Sequence, residues 1–357
     1  MMKGFNYRIY PNEEQREFFA KTFGCARFIY NRMLADKIKH YEETAQSLKN
    51  TPAQYKAEFP WLKEVDSLAL ANAQMNLQSA YSNFFRDKSI GFPKFKSKKD
   101  NNHSYKTNNQ HNTIHIETGF IKLPKLKSKV KIKQHRLFDG VIKSCKISQV
   151  PSGKYFVSIL VECEIKQLPR LETKVGIDVG IKIFAVMSDG VIVQNPKYLR
   201  KSEKRLAKLQ KDLSRKQKGS KNKTKARIKV AIIHEKIANQ RLDFLQKLSS
   251  KIINDNQVIV LENLKVKNMV KNHKLAKCIS EVSWSMFREM IEYKAQWYGR
   301  EVVIASSNYA SSQLCSECGN KSGQTKDLGC RTYVCPVCSL TIDRDYNASL
   351  NLLKLAV

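Results

Sequence analysis

An α/β fold organised around a mixed sheet is what the second half of this sequence predicts, and three observations predict it. Short strands follow one another at 175–179, 183–187 and 191–194. Helical and strand patterns then alternate to the end of the chain. Acids stand at two strand ends, Asp178 and Glu262, where open α/β sheets present ligands. The order strand, strand, strand, helix, strand, helix, strand, helix is that of a ribonuclease H-like core, although other mixed sheets share it.

With 357 residues, 42% of them hydrophobic, the chain can bury a substantial core and form two or three domains. Lys and Arg number 64 against 32 Asp and Glu, a formal net charge of +32. A surface so charged concentrates polyanions, which favours nucleic acid over membrane lipid as the partner. Composition does not distinguish DNA from RNA. No segment at 1–10 has the apolar character of a signal, and no run approaches the ~20 apolar residues of a membrane span. A cytoplasmic protein with no membrane partner is therefore expected. Five of the nine cysteines crowd between Cys315 and Cys338, a pattern of one metal site plus reduced thiols.

Taken in order, 3–10 alternates like a strand, and Pro11 followed by Glu13 and Glu14 predicts a helix with proline at its first position. Helical character extends to about Asp87. Phe19, Phe23, Ala26, Tyr30 and Leu34 form one apolar stripe; Leu70, Met75, Leu77, Tyr81 and Phe84 form another. Gly91 and Pro93 end the helices. Between 103 and 163 the pattern turns to short alternating runs, with Pro151, Ser152 and Gly153 as a hairpin turn. A small β-barrel or sandwich is predicted over 1–10 and 91–170, with the first strand rejoining it and 11–90 as a helical insertion.

A linker at 164–172 introduces the second half, where Ser188, Asp189 and Gly190 turn the second strand into the third. A basic helical insert at 200–255 breaks at Gly219 and Ser220. A strand at 257–261, a helix over Trp284–Tyr298 ended by Gly299 and a strand at 301–305 follow. The α/β core thus covers 171–310 and 340–357, interrupted by a cysteine-rich segment at 311–339; a final helix starts near Asp345.

The carboxylates carry the chemistry. In the first core strand Val175, Ile177 and Val179 face one way, and Gly176, Asp178 and Gly180 the other. Glycines beside the acid are expected to clear room for a phosphate backbone and metal. Glu262 ends the apolar run 258–261. Asp343 or Asp345, at the start of the last helix, supplies a third acid. A helix cap suits Asp343 better, while Asp345 heads the stripe Ala348, Leu352 and Leu355, with a competing stripe through Tyr346, Leu350, Leu353 and Val357. Two Mg²⁺ ions ~3.5 to 4 Å apart would hold three such acids together and drive in-line phosphodiester hydrolysis. No Gly-rich phosphate loop is present.

Cys315 and Cys318, with Cys335 and Cys338, form two CxxC knuckles separated by 16 residues, the spacing of a structural zinc site. The zinc ribbon stiffens the chain before Asp345 or touches nucleic acid with Lys321, Lys326 and Arg331. Basic surfaces complete the reading. Lys125, Lys127, Lys129, Lys131 and Lys133 recur every second residue, as a lysine row on one strand face would. Lys94, Lys96, Lys98 and Lys99 lie among Phe92 and Phe95, charges beside stacking groups. From Arg200 to Lys229 there are 14 basic and 2 acidic residues.

Together, Val-Gly-Ile-Asp-Val-Gly at 175–180, Leu-Glu-Asn-Leu at 261–264, the paired knuckles and Asp-Arg-Asp-Tyr-Asn-Ala at 343–348 resemble the TnpB family, accessory nucleases of insertion sequences related to compact type V CRISPR effectors. Residues 10–15, 23–28 and 92–96 are similar to the same family. The resemblance implies a RuvC-type core with Asp178, Glu262 and Asp345 as its catalytic acids, which selects Asp345 over Asp343. It also implies a wedge-type barrel with a helical recognition insertion, a guide RNA, a target DNA beside a short motif, and cleavage of both strands. Two alternatives differ in outcome: a transposase joining strands with the same acids, and a guided repressor, which would be marked by loss of an acid.

Overall fold

Period-two alternation in β1 (Met2–Tyr10) turns Phe5, Tyr7 and Ile9 inward and leaves Gly4, Asn6 and Tyr10 exposed. The structure, a computed structural model, describes residues 1–100, 103–323, 325, 327 and 329–356. Contacts divide these into two units, Met1–Glu164 and Ile165–Val357.

In the first unit, β1 is followed by α1 (Glu13–Thr44), α2 (Tyr55–Glu58) and α3 (Ser67–Arg86). Asn12 caps α1: Gln15 N donates to its Oδ1 at 2.9 Å, and Asn12 N donates to Gln15 Oε1 at 3.0 Å. Pro11 therefore precedes the cap and is not the first helical residue, because the Asn side chain satisfies helix N–H groups that proline cannot. The first stripe is inward as expected, with Phe19, Phe23, Tyr30 and Leu34 buried. In the second, Leu70 and Leu77 are buried but Met75 is exposed, since five residues of helical rotation carry it away from Leu70.

Six strands follow: β2 (His103–Asn108), β3 (His115–Glu117), β4 (Phe120–Lys122), β5 (Val130–Lys133), β6 (Val141–Gln149) and β7 (Tyr155–Glu162). All seven form one antiparallel sheet in the order β2-β6-β7-β1-β5-β4-β3, so the N-terminal strand does rejoin the later ones. Pairing runs linearly and leaves β2 and β3 as edges. Phe19 and Phe23 of α1 and Ala69 of α3 pack with Tyr105, Val157 and Ile159, which lays the helices on the sheet.

The lysine row is not one strand. Only Lys131 and Lys133 lie on β5, because Pro124 cannot continue a ladder and Lys125 adopts a left-handed turn with φ of 64°. Lys125, Lys127 and Lys129 are exposed in the preceding turns, and Lys129 pairs with Glu117.

The second unit contains β8 (Lys174–Val179), β9 (Ile183–Met187), β10 (Ile192–Gln194), α4 (Tyr198–Ser214), α5 (Lys221–Asp255), β11 (Val258–Leu261), α6 (Val266–Met269), α7 (Ala276–Val282), α8 (Trp284–Tyr298), β12 (Glu301–Ile304), β13 (Thr332–Val334), β14 (Thr341–Asp343) and α9 (Arg344–Leu353). Five strands make a mixed sheet ordered β10-β9-β8-β11-β12, antiparallel through β8 and parallel beyond it. The basic helical segment does break where expected, and Ser220 caps α5 by accepting from Lys223 N at 3.1 Å.

On one face, Val175, Ile177, Ile259 and Leu261 pack with Leu245 and Ile252 of α5 and Phe287 and Ile291 of α8. On the other, Val258 and Val260 meet Leu352 of α9. The stripe through Ala348 and Leu352 is thus the buried one; Val357 lies outside the described residues.

Gly176 lets α9 approach. A Cβ there would stand 2.2 Å from Ser349 O and 2.5 Å from Leu353 N, and a Cβ at Gly180 would stand 2.8 Å from Ile183 O. The two glycines therefore make room for the last helix and for the turn into β9, not for a phosphate backbone. Gly176→Ala is expected to cost about 3 kcal/mol through forced backbone displacement. An unchanged denaturation midpoint would contradict this packing.

Candidate active site and cysteine cluster

Register brings two of the acids together. β8 and β11 are parallel with Val260 opposite Gly176 and Leu261 opposite Ile177, so the next residue on each, Glu262 and Asp178, emerge side by side. Both stand at the carboxyl ends of their strands, and the period of two puts Asp178 on the α9 face with Gly176. Ser311 Oγ donates to Glu262 Oε1 at 2.6 Å.

The third acid comes from the first turn of α9. Asp343 caps this helix, accepting from Asp345 N at 2.9 Å and Tyr346 N at 3.0 Å, and so directs Asp345 toward the strand ends. Arg344 donates to Asp345 Oδ1 through Nη2 at 3.1 Å and Nε at 3.2 Å, while Arg331 Nη1 lies 3.5 Å from its other oxygen. All three acids line one cavity of 490 Å³ with Arg200, Arg331 and Arg344.

Electrostatics mark the pair. Burial pushes the Asp178 carboxyl well above the usual carboxylate range; the charges of Glu262 and then Asp345 push it further, and Arg344 offsets part of this. Burial also raises Glu262, against hydrogen bonds from Ser311 and Asp178 that favour its charged form. Hydrogen-bonded to each other, the two carboxyls hold a proton more readily than isolated acids do.

The four ribbon cysteines converge. Their ligand atoms all lie within 4.8 Å of one another, the group of three or more His, Cys, Asp or Glu residues that does so among the described residues. Cys315 Sγ is 3.5 Å from Cys338 Sγ, and Cys318 Sγ is 3.5 Å from Cys335 Sγ. A tetrahedral ion with ~2.3 Å bonds to sulfur needs separations of about 3.8 Å. Backbone N–H groups of Cys338 and Val337 lower the Cys335 thiol and favour its thiolate, while the neighbouring cysteines raise Cys338. Cys330 stands apart, its Sγ donating to Thr332 O at 3.1 Å.

Residues without an obvious motif tie cluster to acids. Asn347 and Asn351, one turn apart on α9 and fully buried, grip the chain that enters the ribbon. Asn347 accepts from Ser316 N at 2.9 Å and donates to Leu314 O at 2.7 Å; Asn351 donates to Ser311 O at 2.9 Å. Ser311 in turn touches Glu262. Two asparagines at i and i+4 beside a buried apolar stripe are the signal that would have exposed this role.

Of the basic residues, Lys94, Lys96, Lys98 and Lys99 are exposed in the first unit. Lys96 Nζ sits 3.8 Å from the Tyr30 ring centroid, and its backbone is held by the Asn31 side chain at 2.8 and 2.9 Å. Lys321 bridges to Leu314 at the ribbon; Lys326 lies outside the described residues.

Comparison with known proteins places this arrangement. Residues 158–273 match the OrfB_IS605 family, described as a probable transposase, and 284–352 match the Cas12f1-like TNB domain, a span that includes both CxxC pairs and Asp345. A Streptomyces pristinaespiralis protein named "Putative RNA-guided DNA endonuclease" is 38% identical over 98% of this chain and 88% of its own length. Another with that name, InsQ of Escherichia coli strain K12, is 31% identical over 99% of this chain and 92% of its own. A TnpB-like protein of Acanthamoeba polyphaga mimivirus, L79, is 30% identical over 39% of this chain and 27% of its own.

The chain belongs to the TnpB family.

Its fold is similar to that of Cas12f1 solved in complex with sgRNA and target DNA, with a TM-score of 0.59, 15% identity, and coverage of 96% of this chain and 83% of that one. Residues 1–46 match a model described as a helix-turn-helix domain of the OrfB type. In this TnpB-family chain they form β1 and one helix that is continuous from Glu13 to Thr44. Among the described residues no helix is long and apolar enough to cross a membrane.

Proposed function

We propose that this protein is an RNA-guided DNA endonuclease that hydrolyses phosphodiester bonds beside a short DNA motif. Its catalytic core is a RuvC-type, ribonuclease H-like domain over 171–310 and 340–357 carrying the basic insert 200–255. The ribbon 311–339 is stabilised by zinc on Cys315, Cys318, Cys335 and Cys338. A wedge-type β-domain over 1–10 and 91–170, its antiparallel sheet open at β2 and β3, carries the recognition helices of 11–90 and grips guide RNA and the motif-bearing duplex while base pairing reads the sequence.

One observation carries the reading: in a chain of net charge +32, Asp178 and Glu262 are forced together at adjacent strand ends with Asp345 in the same cavity. Like charges held in a buried site ask for a cation, and three carboxylates are hard oxygen ligands of the kind Mg²⁺ takes. Bound Mg²⁺ supplies Lewis-acid activation of water and charge neutralisation at the phosphate. The chain itself orients the acids: Ser311 fixes Glu262, the Asp343 cap aims α9, and Arg344 and Arg331 hold Asp345 against self-repulsion.

The test is cleavage of target DNA by the protein with the RNA that copurifies with it. Cutting that requires both the RNA and a divalent cation is expected. Undiminished cutting after RNase treatment would remove the guided part of the reading, and labelled ends joined to a new strand would favour the strand transfer that the transposase description of the family model suggests.

A further inference from the structure

The N-terminal unit carries aromatic rings without an apolar cover. At the end of α3 and just beyond it, Tyr81 stacks on Phe85 with centroids 6.2 Å apart, and Phe92 meets Phe84 and Tyr81 edge-on at 5.4 and 5.5 Å. Phe85 is nevertheless 71% exposed and Phe92 44%. Each ring holds its neighbours in place, so an outer face is offered at low cost in side-chain order. The surrounding chain is basic: over 81–100 there are six Lys and Arg and two Asp.

We infer that this cluster is a stacking platform for unpaired nucleotides. An exposed ring offers a π-face, which a splayed base can cover and which a duplex, whose base faces are already stacked, cannot. Arg86, Lys88 and Lys94 stand in the same segment to meet the phosphates. A second copy of this chain is the rival occupant, but it would press two surfaces of like charge together in a protein of net charge +32. The inference rests on the nucleic-acid reading above for the class of partner and adds a site that the acids and the ribbon do not use.

The experiment measures binding, not cutting, so its failure leaves the cleavage test untouched. Full-length protein freed of copurifying nucleic acid is titrated against labelled single-stranded RNA, single-stranded DNA of the same sequence, and the duplex. Phe85→Ala and Phe92→Ala are each expected to weaken single-strand binding about ten-fold while leaving duplex affinity and the salt slope unchanged. Whether RNA or DNA suffers the loss identifies the natural strand. Phe85→Leu, which keeps apolar volume and guards against misfolding, is expected to match the alanine variant, and Phe85→Trp to bind like wild type. Unchanged single-strand affinity, or an equal loss on the duplex, would overturn the platform. Sedimentation showing a wild-type dimer that Phe85→Ala converts to monomer would overturn it in favour of self-association.

Discussion

Asp178→Asn is expected to reduce DNA cleavage at least about 10³-fold while binding of RNA and target DNA stays at the wild-type level. The magnitude follows from the several kcal/mol that a metal-held phosphate gains in the transition state, about 1.4 kcal/mol per factor of ten. Binding is spared because the positive surface, not one carboxylate in a cavity, gathers the polyanion. The same substitution has a second effect of opposite sign. In the metal-free fold, burial and neighbouring acids raise the Asp178 pKa above its unfolded value. Folding therefore favours the protonated form, and the stability this contributes is lost as pH rises through the folded-state pKa. Asparagine carries no charge at any pH, so the metal-free variant should melt higher than wild type at neutral pH, with the difference shrinking as pH falls toward the ordinary carboxylate range. Wild-type cleavage by Asp178→Asn would remove this residue from the site; a lower melting temperature would contradict the buried like-charge pair.

How much of this was legible in the sequence depends on whether a feature is local. The helix Trp284–Tyr298 was readable because Gly299 adopts the left-handed conformation that ends helices, with φ of 72°. The strand Ile183–Met187 was readable because a turn with Gly190 at φ of 85° follows it. Short helices α6 and α7 lie in a polar stretch with no periodicity and left no trace. The purpose of Gly176 was not legible either, since its partner is the backbone of a helix more than 170 residues later. Strand alternation suggested a ligand at that glycine; packing supplies a helix. The structure places the three acids read from the sequence in one cavity, but the shifts of their carboxyls and the contact with Ser311 depend on neighbours that only the fold assembles.

Removing the metal from the cysteine cluster should disable the distant acids almost as thoroughly as mutating one of them. The ribbon has little core of its own: among its described residues Tyr333 is the fully buried large side chain, packed with Cys315 and Cys335. Zinc binding is worth ~10 to 16 kcal/mol in small peptides, enough to order so short a segment if the cluster is loaded. From the ribbon, order passes to the acids through chain and hydrogen bonds: Cys315 follows Leu314, which Asn347 and Asn351 hold to α9, and Ser311 of the same loop fixes Glu262. On the other side β14 runs directly into the Asp343 cap, and Arg344 Nη1 donates to Cys330 O at 3.1 Å. Cys335→Ala, or wild type stripped by a zinc chelator and returned to Mg²⁺, is therefore expected to lose at least about 100-fold in cleavage. Wild-type protein should contain one zinc per chain by elemental analysis, and Cys335→Ala none. Addition of Zn²⁺ should restore the stripped wild type and leave the variant inactive. Full cleavage with no zinc bound would show that the acids hold their places without the ribbon, and the hydrogen-bonded path from Asn347 to Glu262 would then carry no order to the site.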